Sequence, residues 1–146
     1  MTERRALLLP LRSLPVAVGP PQPWIDVVAA ASDPCLVLDR AGEVVAASAG
    51  AGELVGRPVA DIVGRALVPE VLKVIDFSAA ARPGDDYVHR IAPLLVLRSG
   101  APARGLLRIQ RDDGTRVTLD SVAAPLHDPA GLLLGSVAFL VGVRGS

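Results

Sequence analysis

The chain has 146 residues, the size of one ordinary domain. Hydrophobic residues make up 51% and charged residues 21%, which excludes a wholly disordered chain. The 15 basic and 15 acidic residues give a formal net charge of zero, so no overall field attracts nucleic acid or an anionic membrane.

The sequence offers little support for a metal site, a disulfide or a membrane span. Cys35 is the single cysteine, which excludes an internal disulfide and a multi-thiolate metal site. The two histidines, His89 and His127, do not have the spacing of a zinc site. No apolar run approaches the roughly 20 residues that a membrane-spanning helix needs. Prolines also interrupt the apolar stretch near the start, so we predict a cytoplasmic protein without a signal peptide.

The chain begins with a proline-rich segment. Residues 1–23 hold five prolines, which disfavour both helix and sheet. We interpret this segment as an N-terminal arm and place the folded domain at residues 24–144. The first predicted element of that domain is a short helix from Trp24 to Ala31, which ends before a proline.

A β-hairpin and a capped helix are predicted next. Compact apolar runs at 35–39 and 43–47 flank the turn residues 40–42, which is typical of a hairpin. Ser48 can cap the following short helix, and Gly56 can end it.

Further helical segments are predicted across 59–63, 68–75 and 87–98, with a loop at 79–86. Pro93 lies inside the last of them and removes one helical hydrogen bond. Two alternatives follow: the helix is kinked, or its regular part begins at Pro93 as a first-turn residue.

The last third of the chain predicts strands at 104–111, 115–124 and 132–143, with turns at 112–114 and 127–131. The predicted fold class is therefore α+β. One five-stranded antiparallel sheet has short helices that cover one of its faces.

In this order, the elements resemble a PAS domain across residues 24–143. Residues 33–42 resemble the opening strand and turn of the family, and residues 53–65 resemble its short helices. Residues 111–117 and 125–137 resemble the turns that connect its last strands. The resemblance implies a non-catalytic sensory or regulatory module of signal transduction, which binds a small ligand, a regulatory protein partner, or both.

A ligand pocket is expected between the sheet and the last helix. We predict a modest apolar pocket for a small apolar ligand, with Ala123 and Gly135 leaving room in it. The alternative is a ligand-free protein-interaction domain, whose own side chains fill this space. The predicted lining residues are Leu94, Leu97, Val117, Leu119, Val137 and Phe139.

Cofactor chemistry depends on His89 and Cys35. His89 lies about where haem-binding PAS oxygen sensors carry the histidine that ligates iron, so a gas or redox sensor is an alternative function. Pro93 and the polar neighbours of His89 disfavour haem. The cysteine helix motif of flavin-binding light sensors is absent around Cys35, so we interpret Cys35 as a small core residue.

An enzyme is the least favoured class, because no nucleophile, base and acid occur in a catalytic pattern. Asp112 and Asp113 flank a turn glycine, where acidic residues are common for conformational reasons. His127 lies beside an Asp-Pro turn, and we interpret it as solvated.

The final strand predicts a homodimer, because both of its sides are apolar. Exposed apolar surface of this extent marks an interface. Coverage by the arm and the first helix of the same chain is the alternative, and Leu140→Glu is expected to separate the two. The predicted dimer surface on the outer face of the sheet comprises Trp24, Val122, Ala124, Ala138 and Leu140.

Overall fold

The computed structural model describes residues 22–75 and 90–143. The helices are α1 (Gln22–Ala30), α2 (Ala49–Val55) and α3 (Ala92–Ser99). A 3-10 turn at Val59–Asp61 and an irregular helical turn at Leu67–Val71 follow α2. The strands are β1 (Cys35–Asp39), β2 (Val44–Ala47), β3 (Lys73–Ile75), β4 (Ala103–Gln110), β5 (Arg116–His127) and β6 (Leu133–Gly142). Residues 1–21, the predicted loop at 79–86 and His89 lie outside the described residues.

The strands form one antiparallel sheet in the order β2-β1-β6-β5-β4-β3. The α+β class is confirmed, with six strands in the described ranges instead of the five predicted. The helical prediction for 68–75 is wrong at its end, because β3 pairs there with the edge of β4, Val74 opposite Ile109. A short apolar run does not by itself distinguish a strand from a helix, and here an available strand edge decided it.

Ser48 begins α2, as predicted, and also ties that helix to β1. Its Oγ accepts the backbone N–H of Ala51 at 3.2 Å and that of Cys35 at 3.0 Å. The same hydroxyl donates to the carbonyl of Asp33 at 2.7 Å. Gly56 ends the helix with a φ of +87°, which confirms it as the C-terminal cap.

Pro93 lies in the first turn of α3, which confirms the second of the two alternatives. First-turn N–H groups have no partner within a helix, so a proline is tolerated there. The Oγ of Ser136 donates to the carbonyl of Pro93 at 3.0 Å. This buried hydrogen bond fixes the start of α3 against β6.

Three hairpin turns share one local device. In each, an aspartate Oδ1 accepts backbone N–H groups two or four residues further along the chain. The three aspartates are Asp39, Asp113 and Asp128. The interpretation of Asp113 as a conformational turn residue is therefore confirmed.

The sheet separates two apolar clusters. The inner cluster lies between the sheet and α2, α3 and the two short helical turns, and its largest buried side chains include those of Leu36, Leu107, Leu119 and Leu140. The outer cluster is smaller, and α1 contributes Val28 to it. Both faces of the sheet therefore carry candidate binding surfaces.

Candidate binding surfaces on the two faces of the sheet

The structure reverses the predicted orientation of β6. Ala138 pairs with Ala123, and Leu140 pairs with Ser121. Directly opposed residues of antiparallel strands share a face, and both pairs lie on the inner face. Leu140 is 1% exposed and belongs to the inner cluster, as does Ala138. Their assignment to a dimer surface is wrong, and a glutamate at position 140 would act on folding instead of docking.

The other side chains of β6 lie on the outer face. Val137 is buried in the outer cluster with Val28 of α1. Phe139 lies opposite Val122 and is 42% exposed. The assignment of Val137 and Phe139 to an inner pocket is therefore wrong. The physical reason is that a strand apolar on both sides carries no signal of which side faces inward.

The remaining predicted pocket residues do meet on the inner face. Leu119 is fully buried in the inner cluster, and Leu94, Leu97 and Val117 pack against it. Ala123 also lies there, but Gly135 leaves no room, because a Cβ at this position would collide with the carbonyl oxygen of Leu38. Whether these inner residues hold a ligand remains a prediction.

Two inner-face residues were not singled out from the sequence. Ser121 of β5 is completely buried, and Gly105 of β4 lies directly opposite it. The sequence contained a signal for each residue. Ser121 is a serine on the apolar side of β5, and Gly105 is a glycine in a strand interior, where close approach of another group is common.

Several apolar side chains on the outer face are exposed. Val122 and Phe139 form a cross-strand pair, and Leu106 and Val141 flank Asp120 on the neighbouring strands. We call the four exposed apolar side chains the outer patch: Leu106, Val122, Phe139 and Val141.

The other predicted members of the dimer surface differ in exposure. Trp24 of α1 is exposed, as expected of a surface residue. Ala124 is half-buried because it packs into the outer cluster.

The outer patch also carries a pair of opposite charges. Arg104 Nη2 donates to Asp120 Oδ2 at 2.7 Å, and Arg104 Nε donates to Oδ1 at 3.2 Å. The hydrogen bonds from Arg104 are the main reason that the pKa of Asp120 is lowered. A surface of this composition can bury apolar area and still offer a cation and an anion to a partner.

Cys35 has the environment of a core cysteine. It is fully buried in the outer cluster, and this burial raises the pKa of its thiol. The interpretation of Cys35 as a core residue is confirmed. His127 is exposed, as predicted. The haem alternative depends on His89, outside the described residues, and stays a prediction.

Asp112 organises a separate ionic network. Arg57 Nε and Lys73 Nζ each donate to its carboxylate at 3.0 Å. Arg57 also donates to the carbonyl of Glu70 at 2.7 Å. The network joins the β4–β5 turn to β3 and to the segment after α2, which gives Asp112 a structural role.

The ionic network predicts a pH dependence of stability. Hydrogen bonds from Arg57 and then Lys73 lower the pKa of Asp112 from 3.8 to about 2. A lowered folded-state pKa means that the contribution is present above pH 3.8 and is lost as the pH falls towards 2. We expect the melting temperature of the native chain to fall more steeply across this range than that of Asp112→Asn. The effect at neutral pH is expected to be small, because the Asp112 and Lys73 side chains are exposed to solvent.

Asp61→Asn is the matched control, since Asp61 is an exposed aspartate of the 3-10 turn. Its melting profile should follow that of the native chain. Parallel profiles for the native chain and Asp112→Asn between pH 4 and pH 2 would contradict the assignment.

Comparison with known families identifies the fold. The family model described as the PAS fold matches residues 28–144. This match spans most of the 146 residues, and the chain belongs to the PAS fold family. No curated protein matches the chain.

Solved structures agree in fold. A light-oxygen-voltage domain studied with a flavin analogue is 18% identical with a TM-score of 0.64, and the match covers 84% of this chain and 86% of that one. A PAS domain from Colwellia psychrerythraea is 16% identical with a TM-score of 0.64, covering 86% and 98% respectively. VqmA of Vibrio cholerae, described as a dimer and a LuxR-type receptor, is 18% identical with a TM-score of 0.59, covering 84% and 51%.

The PAS fold supports a signal-sensing module, and PAS domains are generally non-catalytic. Within residues 22–75 and 90–143, no helix has the length and apolar character to cross a membrane.

Proposed function

We propose that the chain is a non-catalytic PAS regulatory module that works as a homodimer joined through the outer patch. The observation that carries the proposal is the exposure of four large apolar side chains on three adjacent strands. Water-exposed apolar surface of this kind is unfavourable and is usually covered. VqmA, which shares the fold, is described as a dimer, and this supports the proposal by analogy.

The charges of the outer patch favour a second copy as the partner. Arg104 and Asp120 lie side by side on the patch. In an interface with two-fold symmetry the same surface meets itself, so the cation of one protomer can face the anion of the other. The formal net charge of zero means that two copies have no long-range repulsion to overcome.

The rival occupant is the N-terminal arm of the same chain. The arm precedes α1, which packs on the outer face beside β1 and β2. If the arm covered the outer patch, association of two chains would bury no further apolar surface there. The two occupants therefore differ in the oligomeric state that they produce.

Sedimentation velocity of the full chain across a concentration series tests the proposal. We expect a dimer at low micromolar concentration, with reversible dissociation on dilution. A chain that remains monomeric at high micromolar concentration would overturn the proposal and favour coverage by the arm. The regulatory protein partner and the cytoplasmic location stay predictions.

The sensory part of the function would require a ligand on the inner face. VqmA, which shares the fold, is described as bound to DPO. By analogy, we propose that this chain also responds to a small molecule bound between the sheet and α3.

A further inference from the structure

Ser121 presents an unsatisfied hydroxyl on the inner face of the sheet. The side chain is 0% exposed, and its Oγ has no hydrogen-bond partner within the structure described. A buried polar group without a partner loses its hydrogen bonds to water and gains none in return. Such groups are few in folded proteins, and each calls for a specific explanation.

The residue of β4 directly opposite Ser121 is a glycine and carries no side chain. Gly105 pairs directly with Ser121, so the two residues share the inner face. A Cβ built on Gly105 would meet no heavy atom of the described residues within 4 Å. Gly105 is half-buried, so this space also lies close to the protein surface, from which a small molecule can enter.

Among residues 22–75 and 90–143, the side chains around Ser121 are uncharged. Its cross-strand neighbour on β6 is Leu140, and Leu119 and Ala123 lie on the same side of β5 as Ser121. Asp128 is the one charged side chain among the buried residues described, and it is engaged in the β5–β6 turn. An ionised ligand would therefore lose its hydration beside Ser121 without gaining a counter-ion.

We propose that Ser121 anchors a small, uncharged ligand with an apolar body and one hydrogen-bonding group, held in the space beside Gly105. The proposal rests on the ligand-sensing function proposed above and names its chemistry. A serine hydroxyl both donates and accepts, so an alcohol, a carbonyl or a ring nitrogen on the ligand can pair with it. The apolar body then contacts the leucine and alanine side chains of the inner cluster.

Two matched probes test the anchor on the full chain. Benzyl alcohol and toluene have similar apolar bodies, but only the alcohol can bond to a hydroxyl. Amide chemical shifts in NMR titrations report both the dissociation constant and the place of binding. We expect both probes to shift the amides around Ser121 and Gly105.

The quantity to compare is the ratio of the two dissociation constants, toluene over benzyl alcohol. We expect Ser121→Ala to lower this ratio by about fivefold, the value of one neutral hydrogen bond. Gly105→Leu should abolish binding of both probes by filling the space. Gly105→Ala is its conservative control and should weaken binding less.

The stability of Ser121→Ala provides a second readout. If the hydroxyl is unpaired in the free protein, its removal leaves the melting temperature unchanged or raises it. A lower melting temperature would show that the hydroxyl already has a partner within the chain and would overturn the proposal.

Two further results would also overturn the anchor. One is a ratio that Ser121→Ala leaves unchanged, and the other is the absence of shifts near Ser121, as expected if the space holds only an ordered water. Sedimentation velocity of the same samples tests the dimer proposal independently of the ligand anchor. A chain that dimerises without binding either probe retains the outer-patch proposal and loses the anchor.

Discussion

Val122→Glu is expected to convert the dimer to monomers, whereas Val63→Glu leaves it intact. Val122 lies in the outer patch beside Phe139 and is 44% exposed. Val63 is 40% exposed and lies in the segment after the 3-10 turn. The two substitutions therefore change the same residue type at similar exposure, so a general effect of the added charge should appear in both.

The size of the effect follows from the symmetry. Val122 lies directly opposite Arg104 on β4, so the new carboxylate competes with Asp120 for that guanidinium, and a two-fold interface buries the excess negative charge of both protomers. At about 1–3 kcal/mol for each protomer, the dimer dissociation constant should rise by about 30-fold or more. Sedimentation velocity measures the dissociation constants, and thermal melting checks that both variants are folded. Equal dissociation constants for the two variants would contradict an interface at the outer patch.

Gly135→Ala is expected to destabilise the domain severely, whereas Gly105→Ala is expected to be tolerated. A Cβ on Gly135 would collide with the backbone carbonyl of Leu38, which lies in β1, an interior strand of the sheet. A flexible side chain could move aside, but a paired backbone cannot do so without breaking the sheet. The free energy of unfolding should therefore fall by about 3 kcal/mol or more.

Gly105 is the matched control because it is also a strand glycine, and the described residues leave its Cβ position open. The free energy of unfolding of Gly105→Ala should lie within about 1 kcal/mol of the native value. Chemical denaturation monitored by circular dichroism measures both variants. Similar midpoints for the two variants would contradict the close approach of β1 and β6 at Gly135.

Local chemistry explains which elements could be predicted. The strand at 35–39 has the predicted bounds, because a compact apolar run is followed by an aspartate that closes the turn. The cap at Ser48 was also predictable, since its hydrogen bond to the N–H of Ala51 lies within one helical turn. Such signals span only a few residues, so they can be recognised without knowledge of the rest of the fold.

The strand β3 shows where local signals fail. The pattern of Val74 and Ile75 fits a helix and a strand equally well over so short a run. β3 forms because it pairs with the edge of β4, more than 30 residues further along the chain. A partner at that distance is invisible to periodicity.

The same distinction explains the candidate sites. The alternation of charged and apolar residues in β5 predicted that Val117 and Leu119 face inward, and the structure places both on the inner cluster. β6 has no such alternation, and its orientation was predicted wrongly. The pairing of Leu140 with Ser121 decided it, because a shift of one residue would exchange the two faces.

The sequence by itself determined the α+β class, the local caps and turns, and the resemblance to the PAS family. Each of these depends on residues close together in the chain or on the order of the elements. Only the tertiary structure decided that Phe139 faces outward and that Ser121 lies opposite Gly105. Both depend on strand register, and register results from packing the whole sheet between its two apolar clusters.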